Sequence, residues 1–298
     1  MEKKNNFKAW LYLIPSLILL VIFMLYPLVD VLIYSFEENF SFVSQEFTGI
    51  GIGNYKYILN DPFFIQAVGN TFLLVIITVP ISTIIALLIA VGLNSIKPLQ
   101  KIFQTIFFLP YVTNTLAVGL VFLIIFDKRD DVVIGLVNSF LKLFGISPID
   151  FIKGPYWAKM FVLSFYIIWT VMPFKILVLV GSLQSVKKQY YDAALVDHAT
   201  KFTMFRKITV PMISPMISYL IITGLIGAFK EYNNAVALFG TNLDAAGMNT
   251  IVGYVYNMLY SETGGLPSYA SAAAIVLFVI VLTITVINLL VSSKKVHY

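Results

Sequence analysis

Residues 190–215 read YYDAALVDHATKFTMFRKITVPMISP, a polar segment set between two long apolar runs. It carries Lys201, Arg206 and Lys207 against Asp192 and Asp197, with Lys187 and Lys188 just ahead of it. Connectors between packed helices are usually a few residues long. This one extends over about 25 residues, reads as helical, and ends on two prolines spaced four apart, Pro211 and Pro215. Such a stretch reads as a docking device rather than a tether.

The chain around it is 298 residues long, 59% hydrophobic and 12% charged, with a mean hydropathy of +0.89. Soluble domains carry roughly 25% charged residues, so the composition is that of an integral membrane protein. Aromatic residues at 15% suit helices anchored at two interfaces. The absence of cysteine excludes disulfides, thiolate metal sites and Cys nucleophiles. A net charge of +5 in a soluble protein would point to nucleic acid. In a membrane protein the excess of basic residues on the inner side accounts for it, and no nucleic-acid partner is expected.

A membrane span needs about 20 mostly apolar residues. Six segments qualify: 10–34, 68–93, 102–126, 158–183, 212–239 and 269–291. The first follows Lys3, Lys4 and Lys8, as a signal peptide would. Its apolar run is too long for a typical signal core and no small-x-small cleavage site follows, so it is expected to stay as an anchor. Pro15, Pro27, Pro80 and Pro173 lie inside spans, where kinks are tolerated if neighbours satisfy the freed carbonyls.

With the N-terminus inside, the inner side holds Lys3, Lys4, Lys8, Lys97, Lys101, Lys187, Lys188, Lys201, Arg206, Lys207, Lys294 and Lys295. The outer side holds Lys56, Lys128, Arg129, Lys142 and Lys153. Twelve against five places both termini in the cytoplasm. Acidic residues gather outside: Glu37, Glu38, Glu46, Asp61, Asp127, Asp130, Asp131, Asp150, Asp244 and Glu262. The expected fold is an all-α integral membrane protein of six spans, one domain over 1–298, with residues 187–211 forming a cytoplasmic loop. No internal repeat divides the chain.

Within that loop, Lys187 to Thr200 has the composition of a helix, with Ala193, Ala194 and Ala199 as small faces that let another surface approach. Pro211 and Pro215 cannot continue a regular helix interior without cost, so they are expected to mark the return into the fifth span. Phe202, Phe205 and Ile208 form an apolar stripe on a basic segment. A surface helix offering a knob to a partner fits this pattern; so does a helix lying on lipid headgroups.

The residues resemble the signature loop of the permease subunits of binding-protein-dependent ABC importers, whose pattern runs E-A-A-x-x-x-G with a downstream I-x-L-P. Asp192, Ala193 and Ala194 stand at the E-A-A positions, followed by Asp197, His198 and Ala199, then Phe205, Ile208 and Pro211. Asp192 is one methylene shorter than the family's Glu. His198 stands where the family has Gly, a residue that readily takes φ > 0; His is among the few others enriched there. Further matches narrow the resemblance to the sugar-permease branch. They are Gly53-Asn54-Tyr55, Asp61-Pro62-x-Phe64, Asn70-Thr71, Leu109-Pro110, Gly135-Leu136-x-Asn138, Tyr269-Ala270-x-Ala272-Ala273 and the tail Val296-His297-Tyr298. They run in order over nearly the whole chain.

The resemblance implies a multi-pass subunit of the bacterial cytoplasmic membrane that forms a carbohydrate pathway with a second, related permease. It also implies two ATP-binding subunits, which bind the ATP and Mg that this chain does not, and an extracytoplasmic solute-binding protein. The loop would be the coupling helix, seated in a cleft of the ATPase through Asp192, Ala193, Ala194, Asp197, His198, Ala199, Phe205 and Pro211. The subunit itself would be non-catalytic.

Other signals are weaker. Gly49, Gly51 and Gly53 alternate in an outer loop but lack the strand, spacing and Lys-Ser/Thr of a phosphate loop, and a turn is expected. No G-x-x-x-x-G-K-[ST] occurs in the chain. His198 and His297 are too scattered for a metal site. Inside the spans, Lys175, Lys230 and Glu231 are functional candidates because ionisable residues at membrane depth usually face a cavity or a partner. An interior ion pair or a snorkelling side chain is the alternative. Lys230 and Glu231 are followed by Tyr232, Asn233 and Asn234, groups that suit stacking on and hydrogen bonding to a sugar. Asp30 lies near the first span's outer end. An ion-driven secondary transporter is the rival reading; Glu231 would be its intramembrane carboxylate. An intramembrane enzyme lacks any acid/base or metal constellation in the spans.

Overall fold

The structure, a computed structural model, describes residues 6–42, 44–96, 100–128, 135–260 and 266–295. Lys3, Lys4, Lys97, Arg129, Asp130, Asp131, Glu262, Val296, His297 and Tyr298 lie outside the described residues. The chain is predominantly helical. In order it forms α1 (Asn6–Leu20), a π turn (Val21–Leu25), α2 (Tyr26–Phe36), the strands β1 (Glu37–Glu38) and β2 (Gly49–Ile50), α3 (Gly53–Asn60) and α4 (Pro62–Ser95). Then follow α5 (Gln100–Val112), α6 (Thr115–Ile125), α7 (Leu136–Leu143), α8 (Tyr156–Ser185), α9 (Lys188–Val196) and α10 (Lys201–Met204). A second π turn (Phe205–Thr209) leads into α11 (Val210–Phe229), α12 (Asn233–Phe239), α13 (Leu243–Ala246), α14 (Ile251–Leu259) and α15 (Pro267–Lys295).

Among the described residues five helical runs are long and apolar enough to cross a membrane: Trp10–Phe36, Pro62–Ser95, Tyr156–Ser185, Lys201–Phe229 and Pro267–Ser292. They contain the expected first, second, fourth and sixth spans. The other two expectations need correction.

The segment 102–126 is not one helix. It breaks between α5 and α6, whose 13 and 11 residues correspond to roughly 20 and 16 Å of helix at 1.5 Å per residue. Two polar side chains cause the break. The Thr113 hydroxyl donates to the Leu109 carbonyl at 3.0 Å. Asn114 is extended, and its side chain accepts the Leu116 and Ala117 amides at 2.9 and 3.3 Å. Each helix end is therefore satisfied from within.

The segment 212–239 is also displaced. Its helix starts at Lys201 and stops at Phe229; Pro211 falls in the first turn of α11 and Pro215 inside it, so neither marks a fresh start. Proline cannot donate to the carbonyl four residues back and its ring crowds that carbonyl. Here the chain answers by widening the preceding turn: the Val210 amide reaches the Phe205 carbonyl, five residues back. The same solution appears ahead of Pro27, where the Tyr26 amide reaches the Val21 carbonyl.

The chain divides into two compact units, Met1–Ile65 with Ile251–Val279 and Gln66–Thr250 with Ile280–Tyr298. In the first, β1 pairs antiparallel with β2, Glu37 opposite Ile50 and Glu38 opposite Gly49. Buried Asn54 ties this hairpin down by donating to the Ser35 and Glu37 carbonyls at 2.9 and 3.1 Å. Ser268 donates to the Glu37 carbonyl and accepts the Phe40 amide. Tyr254 donates to Asp61 at 2.6 Å, and Tyr57 stacks on Tyr269 with centroids 4.1 Å apart. Gly51 and Gly53 have a packing role: the Glu38 carboxylate lies where a Cβ at either would stand and accepts the Gly53 amide at 2.9 Å.

In the second unit, Leu74, Phe122, Phe126, Leu163 and Tyr166 belong to one buried cluster, with Phe122 and Tyr166 ring centroids 4.5 Å apart. A second cluster joins Ala86 and Ala90 of α4, Ile176 and Leu179 of α8, and Ile213 and Leu220 of α11. Two buried asparagines fasten the loops. Asn70 donates to the Gly247 and Asn249 carbonyls and accepts from the Tyr156 hydroxyl. Asn138 donates to the Asp127 and Ile149 carbonyls, both at 3.0 Å, and accepts the Ile149 amide at 2.8 Å. Gly135 is required by contact, since a Cβ there would overlap the Ile124 and Ile125 carbonyls.

Asn138→Ala leaves the Ile149 amide and carbonyl without their side-chain partner, at about 1–3 kcal/mol for each group left unsatisfied. The expected outcome is a clear drop in the thermal aggregation temperature of the detergent-solubilised protein. Leu143→Ala, at a side chain 82% exposed, leaves it unchanged.

Candidate functional site

Two regions of the second unit gather the candidate residues: the segment from α9 to the start of α11, and a cavity among α4, α8 and α11.

α9 begins after Lys187 and ends at Val196. Its end is closed by a pair of bonds: the His198 amide to the Leu195 carbonyl at 3.1 Å and the Ala199 amide to the Ala194 carbonyl at 2.9 Å. That closure requires a left-handed residue between them, and His198 takes φ 53°. The turn expected where the family has glycine is thus formed by histidine. Thr200 then caps α10 by accepting the Thr203 amide at 3.2 Å. Asp192, Ala193, Asp197 and His198 are exposed, whereas Ala194 and Ala199 are half-buried. Asp192 lies 3.9 Å from Lys188, one turn back on the same exposed face, a pairing worth little in water. Phe205 is half-buried in the π turn, Phe202 is 71% exposed, and Pro211 is exposed in the first turn of α11. This leaves a small-residue face and a projecting phenyl ring on one rigid corner.

The cavity holds about 250 Å³ and is lined by Lys175 and Glu231 with Thr78, Ser82, Tyr111 and Thr223 among others. Lys175 is 4% exposed. Its ammonium donates to Ser82 Oγ at 2.7 Å, Thr83 Oγ1 at 2.8 Å and the Val79 carbonyl at 3.4 Å. Both hydroxyls in turn donate to carbonyls of α4, Ser82 to Thr78 and Thr83 to Val79. Gly224 brings α11 in beside this group, since a Cβ there would stand 3.3 Å from Lys175 Nζ. The lysine therefore pins α4 to α8 beside α11 through neutral acceptors.

Glu231 is half-buried. Its two carboxylate oxygens accept the Asn234 amide and side-chain NH₂ at 2.9 and 2.8 Å, so it caps α12. Lys175 and Glu231 share the cavity, but the other residues expected with them do not line it. Lys230 and Asn233 are exposed, and Tyr232 packs against the aromatic cluster. The sequence reading missed Thr78, Ser82, Thr83 and Thr223. Hydroxyl residues at i and i+4 within an apolar run, as at Thr78 and Ser82, were the available signal.

An apolar helical chain with a cavity in its helix bundle and an exposed, capped surface helix is the architecture of a membrane transport subunit. The comparisons agree. Residues 82–296 match the family described as binding-protein-dependent transport system inner membrane component, and the chain belongs to that family. The arabinooligosaccharides transport system permease protein AraP of Bacillus subtilis (strain 168) is 31% identical over 96% of this chain and 88% of its own length. The lactose transport system permease protein LacF of Rhizobium radiobacter is likewise 31% identical, over 97% and 94%. In structure, the chain resembles a bacterial ABC transporter that imports the acidic polysaccharide alginate, with a TM-score of 0.81 at 23% identity over 99% of this chain and 98% of that one.

Replacing Lys175 by Met removes a buried charge together with its need for partners, an exchange that is often neutral or stabilising. The expected outcome is normal membrane insertion and detergent stability for Lys175→Met. The double variant Ser82→Ala/Thr83→Val leaves the ammonium poorly partnered and is expected to lose roughly 3 kcal/mol. Melting curves of the two purified variants decide this, and equal destabilisation of both would contradict it.

Proposed function

We propose that this chain is a pathway-forming subunit of an ATP-driven carbohydrate importer in the bacterial cytoplasmic membrane. It acts as one membrane domain with both termini in the cytoplasm, the α5–α6 pair completing the third of six spans. A second, related permease supplies the other half of the pathway. Two ATPase subunits bind ATP and Mg, and a solute-binding protein delivers substrate from outside. The chain itself performs no covalent step.

The observation that carries the coupling role is α9, whose Asp192–Ala193 face is exposed and whose end is locked by left-handed His198. A helix of this kind suits a cleft in the ATPase, with Ala193 and Ala194 permitting close approach and Asp192 exposed to a basic partner. Closure of the ATPase pair on ATP would draw α9 inward and turn the cavity from inward- to outward-facing. Transport of a carbohydrate is supported by the sugar permeases among the relatives. It is supported also by the related importer whose structure was solved with an alginate pentasaccharide-bound periplasmic protein. The aromatic and hydroxyl lining around Tyr111, Phe174, Thr78 and Thr223 suits stacking and hydrogen bonding together. Ion-driven transport through Glu231 is disfavoured by the engagement of both its oxygens with Asn234.

The test uses proteoliposomes holding the whole importer and a panel of labelled arabino-oligosaccharides, lactose and alginate oligosaccharides. At least one is expected to raise ATP hydrolysis and to accumulate. Ala193→Asp and Asp192→Lys are expected to abolish uptake and co-purification of the ATPase while insertion persists. Normal uptake by both variants would remove the docking role, and no response to any carbohydrate would remove the substrate class.

A further inference from the structure

Tyr191 stands beside Asp192 and Ala193 but on the opposite side of α9. It is half-buried where they are exposed, and its hydroxyl meets Thr209 Oγ1 at 2.9 Å. Thr209 is 6% exposed and closes the π turn that Pro211 imposes; its hydroxyl also lies 3.4 Å from the Met204 carbonyl, five residues back. We propose that the Tyr191–Thr209 hydroxyl pair is the positioning contact that makes α9 and α11 move as one body. The inference rests on the docking reading of α9 and adds to it the residues through which docking is felt in the membrane.

Three features support it. First, the corner between α9 and α10 is stiff. Only Asp197–Thr200 separates the two helices; His198 and Ala199 close the first and Thr200 caps the second. A corner capped in this way still leaves one side open. The Tyr191–Thr209 bond spans its open side and completes a triangular brace. Second, the bond falls on a π turn. Such turns are frequent at functional sites and are where helices kink, so an unbraced π turn is where motion of α9 would be absorbed instead of passed on.

Third, α11 leads from the brace to the cavity. Ile213 and Leu220 are buried against α4 and α8, and Thr223 and Gly224 line the cavity beside Lys175. The distance from Thr209 to Gly224 is roughly 22 Å of continuous helix at 1.5 Å per residue, so a small tilt at the brace becomes a displacement at the cavity wall. Tyr191 and Thr209 are positioning residues: they touch neither ATP nor substrate.

Spin-label distances test this without knowledge of the sugar, because the chain has no native cysteine. Labels on Val196→Cys in α9, 79% exposed, and Met212→Cys in α11, 44% exposed, are measured in the reconstituted importer. The two states compared are nucleotide-free and trapped with Mg-ADP and vanadate. The labels are expected to give one narrow distance distribution, the same in both states. Tyr191→Phe and Thr209→Val, which remove one hydroxyl each, are expected to broaden it or split it on trapping. ATP hydrolysis should persist with less uptake per ATP for the carbohydrate that most stimulates the unmodified importer. Thr209→Ser, which restores the hydroxyl, should restore the narrow distribution. A distribution that stays narrow in both states for Tyr191→Phe and Thr209→Val overturns the brace. Retention of the ATPase by Ala193→Asp instead overturns the docking reading, so the two failures are distinguishable.

Discussion

A polypeptide in hydrocarbon must satisfy its backbone polar groups internally, and this fold follows from how it does so wherever a helix stops. A transport subunit needs interruptions: a surface helix to be gripped, a cavity between helices, ends that can tilt. Each interruption exposes amides and carbonyls that water would otherwise serve. Among the described residues several of these are closed by a side chain close in sequence or by a backbone motif. Asn114 and Thr113 close the α5–α6 break, Glu231 caps α12, and His198, Ala199 and Thr200 close the α9–α10 corner. Buried Asn54, Asn70 and Asn138 do the same for the loops.

Proline is the second part of that economy. Pro27 and Pro211 each follow a π turn in which the amide bond reaches back five residues instead of four. The long helix survives, at the cost of a local soft point. At Pro211 the soft point lies under α9, and the Tyr191–Thr209 bond crosses it. Polar chemistry within the apolar bundle follows the same logic. Lys175 is held by two hydroxyls and a carbonyl, not by a carboxylate.

Much of this was legible in the residues. The apolar runs that became α4, α8 and α15 declare themselves by length, and the polar segment after Gln184 reads as a surface helix with small faces. The left-handed turn at His198 was expected from the resemblance, which puts glycine there, with His among the few other residues enriched in that conformation. What was not legible depends on single side chains competing with a strong average. The segment 102–126 is apolar enough to be read as one span, yet Thr113 and Asn114 alone divide it. Pro211 reads as a helix start, but the chain absorbs it in a π turn, an outcome that the interactions of neighbouring turns decide. Glu231 reads as a membrane-depth carboxylate; its real partner lies three residues on, and the helix it caps was hidden inside a presumed span. The partners of Lys175 come from α4, more than ninety residues away in sequence, beyond any local pattern. Asn54, Asp61, Asn70 and Asn138, which help carry the family resemblance, proved to fasten loops and helix ends, so that similarity reports architecture more than substrate.

The account stands on α9 as the surface that meets the ATPase. A photo-crosslinking amino acid at Val196, at the projecting end of α9, puts this to the most direct test in the intact importer within native membranes. The account predicts a crosslink to the ATP-binding subunit that weakens or shifts when nucleotide is trapped. Crosslinks to lipid or to the second permease alone, in every nucleotide state, would contradict it.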